Sequence, residues 1–232
     1  MARGWDGDVE AMLFSDAGSG RAGELAAELG GRAVESNVAL AAEADLVVLA
    51  VKPAKLDQAA AELAGAKAVV SLLGATSLER VQAAFPGSAV ARVMPNVAVE
   101  VRRGVLCLAG EAGPETRRLL GLLGEVVELP DAQFDAATAV MGCSPAYLAL
   151  AVEALADAGA DAGLDAGLAR ELVVETAAGT AELLRRRHPA DVRRAVASPG
   201  GSTEAGLEAL DREGASAAFA AAVGASLERM RG

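Results

Sequence analysis

The chain of 232 residues is poor in the groups that metal and nucleophile chemistry uses, with one histidine, His188, and two cysteines, Cys107 and Cys143. A single histidine excludes His-rich metal sites and argues against a Ser-His-Asp triad. The cysteines are far apart with no metal-like spacing, so two reduced thiols of a cytosolic protein are expected. Aromatic residues make up only 3%, which leaves the core to Ala, Val and Leu. Positive charge is also short. Against 32 acidic residues stand 21 Lys and Arg, and the net charge of −11 repels nucleic acid, with no basic patch or stacking motif to offset it. No uninterrupted apolar run reaches the roughly 18 to 20 residues that a membrane span requires. Met1-Ala2-Arg3-Gly4-Trp5-Asp6 lacks the apolar stretch of a signal peptide. These absences point to a cytoplasmic protein without nucleic acid, membrane or metal.

What is present is 53% apolar, in a length that allows two modest domains. Ala11–Ser15, Asp45–Val51, Ala68–Leu72, Ala89–Val93 and Val105–Ala109 read as strands. Leu46–Val51 is almost wholly apolar, as a strand buried on both faces must be. Between them Arg21–Leu29, Leu56–Leu63 and Leu78–Ala84 read as helices, the last behind a Thr76-x-x-Glu79 capping box. The alternation predicts an α/β fold with a doubly wound parallel sheet. After about Asp131 the strands cease, and Pro145–Ala158, Ala166–Arg186, Pro189–Val196, Thr203–Leu210 and Ala215–Met230 read as helices. A boundary near Asp131–Asp135 divides the chain into an α/β domain, 1–133, and an all-helical domain, 134–232. No Pro, Gly or Ser-rich linker marks it, and Asp157–Gly167 reads as a helix–helix turn.

Two glycine turns invite a ligand. Gly18-Ser19-Gly20-Arg21-Ala22-Gly23 matches G-x-G-x-x-G before a helix. However, Ser15-Asp16-Ala17 separates it from its strand, where a dinucleotide turn follows directly. The second is Ala197-Ser198-Pro199-Gly200-Gly201-Ser202-Thr203-Glu204. Bare glycine amides at the start of a helix suit a carboxylate or phosphate, and an ordinary capped turn between helices is the alternative.

This second block, with Pro145-Ala146-Tyr147, Glu153–Gly159, His188-Pro189-Ala190-Asp191-Val192-Arg193, Ala50-Val51-Lys52-Pro53 and Arg92-Val93-Met94-Pro95-Asn96, closely resembles the pyrroline-5-carboxylate reductase family. The resemblance covers essentially the whole chain. It implies a Rossmann-like dinucleotide-binding domain followed by a helical dimerisation domain. The implied reaction is NAD(P)H-dependent reduction of the cyclic imine 1-pyrroline-5-carboxylate to proline by a homodimer or a larger assembly of dimers. On that alignment Met1–Gly4 matches the end of the family's first helix and Ala11–Ser15 its second strand. The first strand and pyrophosphate loop then have no counterpart, and dinucleotide binding is expected to be weak.

The resemblance also implies roles. Ser198, Gly200, Gly201, Ser202 and Thr203 bind substrate, with Thr203 against the imine nitrogen as the catalytic residue. Its hydroxyl orients the ring, while water is the eventual proton source for the iminium. Ala50, Val51, Lys52 and Pro53, with Met94, Pro95 and Asn96, line the cofactor site, and Asn37 contacts the adenosine ribose or its phosphate. Asn37 is also a candidate cap for Val38–Glu43. The cofactor is NADPH, with NADH possible because Asp16 would repel a 2′-phosphate. Val97-Ala98, Gly142-Cys143-Ser144-Pro145 and Ser71-Leu72-Leu73-Gly74 depart from the family pattern on ligand-facing loops. Those departures keep two alternatives open: a dimerising paralogue without catalysis, and a reductase of another small imine or carbonyl acid.

Overall fold

A computed structural model describes residues 1–231 of the chain. It opens on a 3-10 turn, Ala2–Trp5, whose buried indole donates Nε1–H to the Leu119 carbonyl at 2.6 Å. β1 (Leu13–Phe14) and β2 (Arg32–Ala33) pair in parallel with α1 (Arg21–Leu29) as their crossover. There follow α2 (Asn37–Glu43), β3 (Val47–Leu49), α3 (Leu56–Glu62), β4 (Ala68–Ser71), α4 (Leu78–Ala84) and β5 (Ala89–Pro95). β6 (Gly104–Gly110), α5 (Pro114–Gly121) and β7 (Gly124–Glu128) complete the α/β part. β3 to β7 form one sheet in chain order, parallel except between β5 and β6, which run antiparallel from Ala91↔Gly110 to Pro95↔Leu106.

A continuous doubly wound sheet would join β1 to β3 through one more strand. Here the pair β1–β2 and the five-stranded sheet are separate. β2 and β7 were not anticipated because their residues are largely exposed and carry no apolar run. α5 reads Pro-Glu-Thr-Arg-Arg at its start, too polar to show a core face until Leu119 and Leu120. One cap also differs. Ser77, not Thr76, caps α4 by accepting the Arg80 N–H at 3.2 Å, while Thr76 donates its hydroxyl to the Gly74 carbonyl.

Apolar side chains fill both faces of the sheet. Leu49, Leu56, Leu73, Val81 and Phe85 pack on one side, and Trp5, Val70, Val93, Leu106 and Leu120 on the other. Aliphatic residues dominate both clusters, as the scarcity of aromatics predicts.

Beyond β7 come the short α6 (Phe134–Ala137), a π turn over Thr138–Gly142, α7 (Ser144–Asp161) and α8 (Ala166–Leu184). α9 (Pro189–Val196), α10 (Ser202–Arg212) and α11 (Ala215–Arg231) end the chain. α7 stops in a Schellman motif: Leu164 N–H reaches the Gly159 carbonyl and Gly163 N–H the Ala160 carbonyl, with Gly163 at φ 105°. Asp165 then caps α8 through the Leu168 N–H at 3.1 Å. A Cβ added at Gly159 would meet the Ala169 Cβ at 3.3 Å, so small residues set the close approach of α7 and α8.

Met1–Cys143, with the end of α11 from Leu227, forms one compact unit, and Ser144–Ser226 a second. The second unit leaves Leu148, Leu150, Leu155, Leu168 and Leu172 between 45% and 64% exposed. Counting uninterrupted apolar runs missed one property of this region. By length and composition the helical stretch Asp131–Asp161 could cross a membrane, its most apolar window reaching a mean hydropathy of 1.5.

Candidate active site

β3, β4 and β5 are parallel, so their C-terminal ends lie at one edge of the sheet, where open α/β sheets bind ligands. That edge carries Ala50-Val51-Lys52-Pro53 after β3, Leu72-Leu73-Gly74 after β4, and Met94-Pro95-Asn96 at the end of β5. Lys52 is exposed, and its carbonyl accepts from the Lys55 N–H at 2.8 Å to close a 3-10 turn begun by Pro53. Topology thus brings the expected cofactor residues of two distant segments to the same side of the sheet.

Asn96 is tied down. Its Oδ1 accepts from the Val105 N–H at 3.2 Å, and its Nδ2 donates to the Met141 carbonyl at 3.3 Å. Asn37 is the first residue of α2 and does not cap it. Ser36 does, through the Ala39 N–H at 3.1 Å. The Asn37 Nδ2 donates instead to Glu62 at 2.7 Å.

The Gly18–Gly23 turn is already filled by an anion of the chain itself. The Asp16 carboxylate accepts from Gly18 N–H at 2.6 Å, Ser19 N–H at 2.9 Å, Ala22 N–H at 2.8 Å and the Ser19 hydroxyl at 3.0 Å. These bonds, led by that from Ala22, hold its carboxyl below the usual aspartate range. A phosphate would have to displace a bound carboxylate, at the helix end where anions are most favoured. The amides of this turn are therefore not open to a pyrophosphate while Asp16 holds them.

The Ser198–Thr203 turn lies in the helical unit. Gly200 adopts φ 74°, and a Cβ at Gly201 would sit 2.8 Å from Ser198 Oγ and 2.9 Å from its carbonyl oxygen. Both positions thus require glycine. Gly201 caps α10, with Ser202 and Thr203 as its first two residues, both exposed. Their hydroxyls carry no hydrogen bond to any described residue, and first-turn amides of a helix have no partner within it. The Gly200 N–H, expected to face substrate, instead donates to Glu204 at 2.7 Å. His188 caps α9 through Nδ1, which accepts from the Ala190 N–H at 3.2 Å. Cys107 is buried, and burial pushes its thiol pKa up, as suits an inert packing residue.

Asp16 and Glu204 thus belong to the two glycine turns, and sequence reading gave neither this role. Both had a signal. An Asp two residues before the first glycine is placed for an Asx-type cap. Glu204 stands three residues after the cap Gly201, the capping-box spacing.

Two family descriptions match the chain: pyrroline-5-carboxylate reductase dimerisation over residues 131–232, and NADP oxidoreductase coenzyme F420-dependent over residues 2–74. The pyrroline-5-carboxylate reductase of Synechocystis sp. is 38% identical over 196 residues, covering 80% of this chain and 73% of that protein. The solved 1-pyrroline-5-carboxylate reductase of Streptococcus pyogenes superposes with a TM-score of 0.88 at 29% identity, covering 99% of this chain and 93% of that one. The pyrroline carboxylate reductase of Plasmodium falciparum, solved with NADP bound, reaches 0.85 at 23% identity, over 99% and 91% of the two chains, and shows the shared fold. In fold, in the order of its motifs and in sequence, the chain belongs to the pyrroline-5-carboxylate reductase family.

Proposed function

We propose that this chain reduces 1-pyrroline-5-carboxylate to proline. The observation that carries the reading is the α10 start. Two obligate glycines deliver the Ser202 and Thr203 hydroxyls, neither bonded to a described residue, to a helix N-terminus that favours a carboxylate. The ring carboxylate of the substrate binds there, and the Thr203 hydroxyl hydrogen-bonds the ring nitrogen. Ser198 fixes the turn from beneath, against Gly201. When bound, a nicotinamide dinucleotide supplies the hydride that adds to the imine carbon. Thr203 holds the ring for that addition, and water returns the proton to the nitrogen, because an ordinary hydroxyl is a poor acid.

The cofactor residues are Ala50 to Pro53, Met94 to Asn96, and Asn37. NADPH is the proposed cofactor, in keeping with the NADP oxidoreductase family matched over residues 2–74. NADH is the alternative, because Asp16 and the Glu62 that holds Asn37 put negative charge near the adenosine end. The exposed leucines of α7 and α8 are covered by a second copy, so the working protein is a homodimer, and its place is the cytoplasm. One observation favours a second reading, a dimerising paralogue that binds no dinucleotide: Asp16 closes the glycine turn that matches the dinucleotide fingerprint.

Thr203→Ala tests the site. Loss of a neutral hydrogen bond, about 0.5 to 1.5 kcal/mol, and of ring orientation should lower kcat/KM for the imine between a few-fold and about a hundredfold. NADPH affinity should stay nearly unchanged, and Ser198→Ala should be milder. Wild-type turnover by a folded, dimeric Thr203→Ala protein would reduce Thr203 to a helix-start residue and move the site elsewhere.

A further inference from the structure

Arg92 stands in an apolar strand. Its neighbours Val90, Ala91 and Val93 are at most 2% exposed, and Arg92 itself is 5% exposed. Its Nη1 donates to Asp131 Oδ1 at 2.8 Å, and its guanidinium lies over the Phe134 ring, 4.5 Å from the centroid. The other Asp131 oxygen accepts from the Leu78 N–H at 3.0 Å. One carboxylate thus ties β5 to the start of α4 and to the segment that leaves the sheet after β7. Four residues further on, the Asn96 amide makes a second tie, to Val105 and to the Met141 carbonyl. Between the ties the chain runs through α6 and the π turn, where the Cys143 N–H reaches the Thr138 carbonyl at 3.1 Å. Single π turns recur at functional sites.

The Arg92 Nε is buried without a hydrogen-bond partner among the described residues. A buried guanidinium with an unsatisfied donor, paired to a carboxylate that is 27% exposed, is a costly way to fill a core, and apolar residues of similar volume often stabilise as well or better. What the pair adds is direction: a planar cation on a ring face, joined to a carboxylate that is itself held, fixes register where an apolar contact would slide.

We propose that Arg92 is a positioning residue that locks segment 131–143 onto the C-terminal half of β5, and so holds the Met94–Asn96 and Gly142–Cys143 turns in working geometry. That these turns face ligand rests on the function proposed above; the lock itself does not.

Hydrogen exchange of the full chain without ligand reads the lock directly. Arg92→Met should speed exchange of the 138–143 amides about tenfold or more, while the β4 amides stay within about twofold of wild type. Arg92→Lys, which keeps the charge, should restore part of the protection. Arg92→Met alone leaves Asp131 charged and unpaired, and that can unfold a protein. The double variant Arg92→Met/Asp131→Asn is therefore decisive, because it removes the charge and keeps an oxygen for the Leu78 N–H. It should keep the wild-type melting temperature, lose protection only at 138–143, and bind NADPH several-fold more weakly. Equal acceleration in β4 and 138–143, or wild-type protection in the double variant, would overturn the lock. A loosened segment with undiminished NADPH affinity would overturn its part in the site. Wild-type protein that neither binds NADPH nor reduces the imine would overturn the proposed function, and the exchange comparison would still decide the lock.

Discussion

Thr203 and Glu204 are adjacent on α10 and differ in what holds them: the hydroxyl bonds no described residue, whereas the carboxylate takes the Gly200 amide. Glu204 thereby places a negative charge beside the turn proposed to receive the substrate carboxylate. Neutralising it should help an anionic substrate. Glu204→Gln, which keeps an acceptor for the Gly200 N–H, should lower KM for the imine acid by about two- to fivefold, the scale of an exposed charge interaction. Steady-state kinetics at fixed NADPH check this, and an unchanged KM would place the carboxylate subsite elsewhere. At this scale the turn was legible: Gly200 and Gly201 shape it and Thr203 lies in the first turn of α10, because glycine conformation and helix starts are local properties. Asn96 shows what was not legible: its amide is consumed by Val105 and Met141, and no local pattern announces a partner 45 residues away.

Among elements, α1 depends most visibly on a single group. Asp16 satisfies amides at and before its first turn, and those bonds hold its carboxyl below the usual range. A carboxyl whose pKa is depressed in the folded state contributes stability that is present above its unfolded pKa and lost as pH falls through the folded one. Acid should therefore loosen the start of α1. Amide exchange at Gly18–Ala22 should rise on acidification relative to the intrinsic rate, and Asp16→Asn should show the looser state already at neutral pH with little further acid response. An identical pH profile in wild type and variant would contradict the assignment. α1, α4 and α9 fall where the sequence places them, since short amphipathic periods with clear ends suffice. β2 and β7 do not show in the sequence because pairing with β1 and β6 defines them, not any apolar run of their own.

For the molecule as a whole, the apolar count predicts a core of aliphatic residues but not how much aliphatic surface stays uncovered. Helical periodicity located α7 and α8 closely, while their exposed leucines emerge only in three dimensions. Exposed apolar patches of this kind mark interaction surfaces, and the match to a dimerisation family covers them. Light scattering at micromolar concentration should give twice the chain mass of 23.2 kDa. A well-behaved monomer would leave those leucines unexplained and count against the dimer.

The central claim is imine reduction, and the most direct measurement is proline formation by the purified chain from 1-pyrroline-5-carboxylate across a wide range of NADPH concentrations. Because Asp16 already fills the Gly18–Gly23 turn, half-saturation should need a high NADPH concentration, and proline should appear in step with NADPH consumed. Folded, dimeric protein that forms no proline at any NADPH or NADH concentration would contradict the account and leave the non-catalytic paralogue standing.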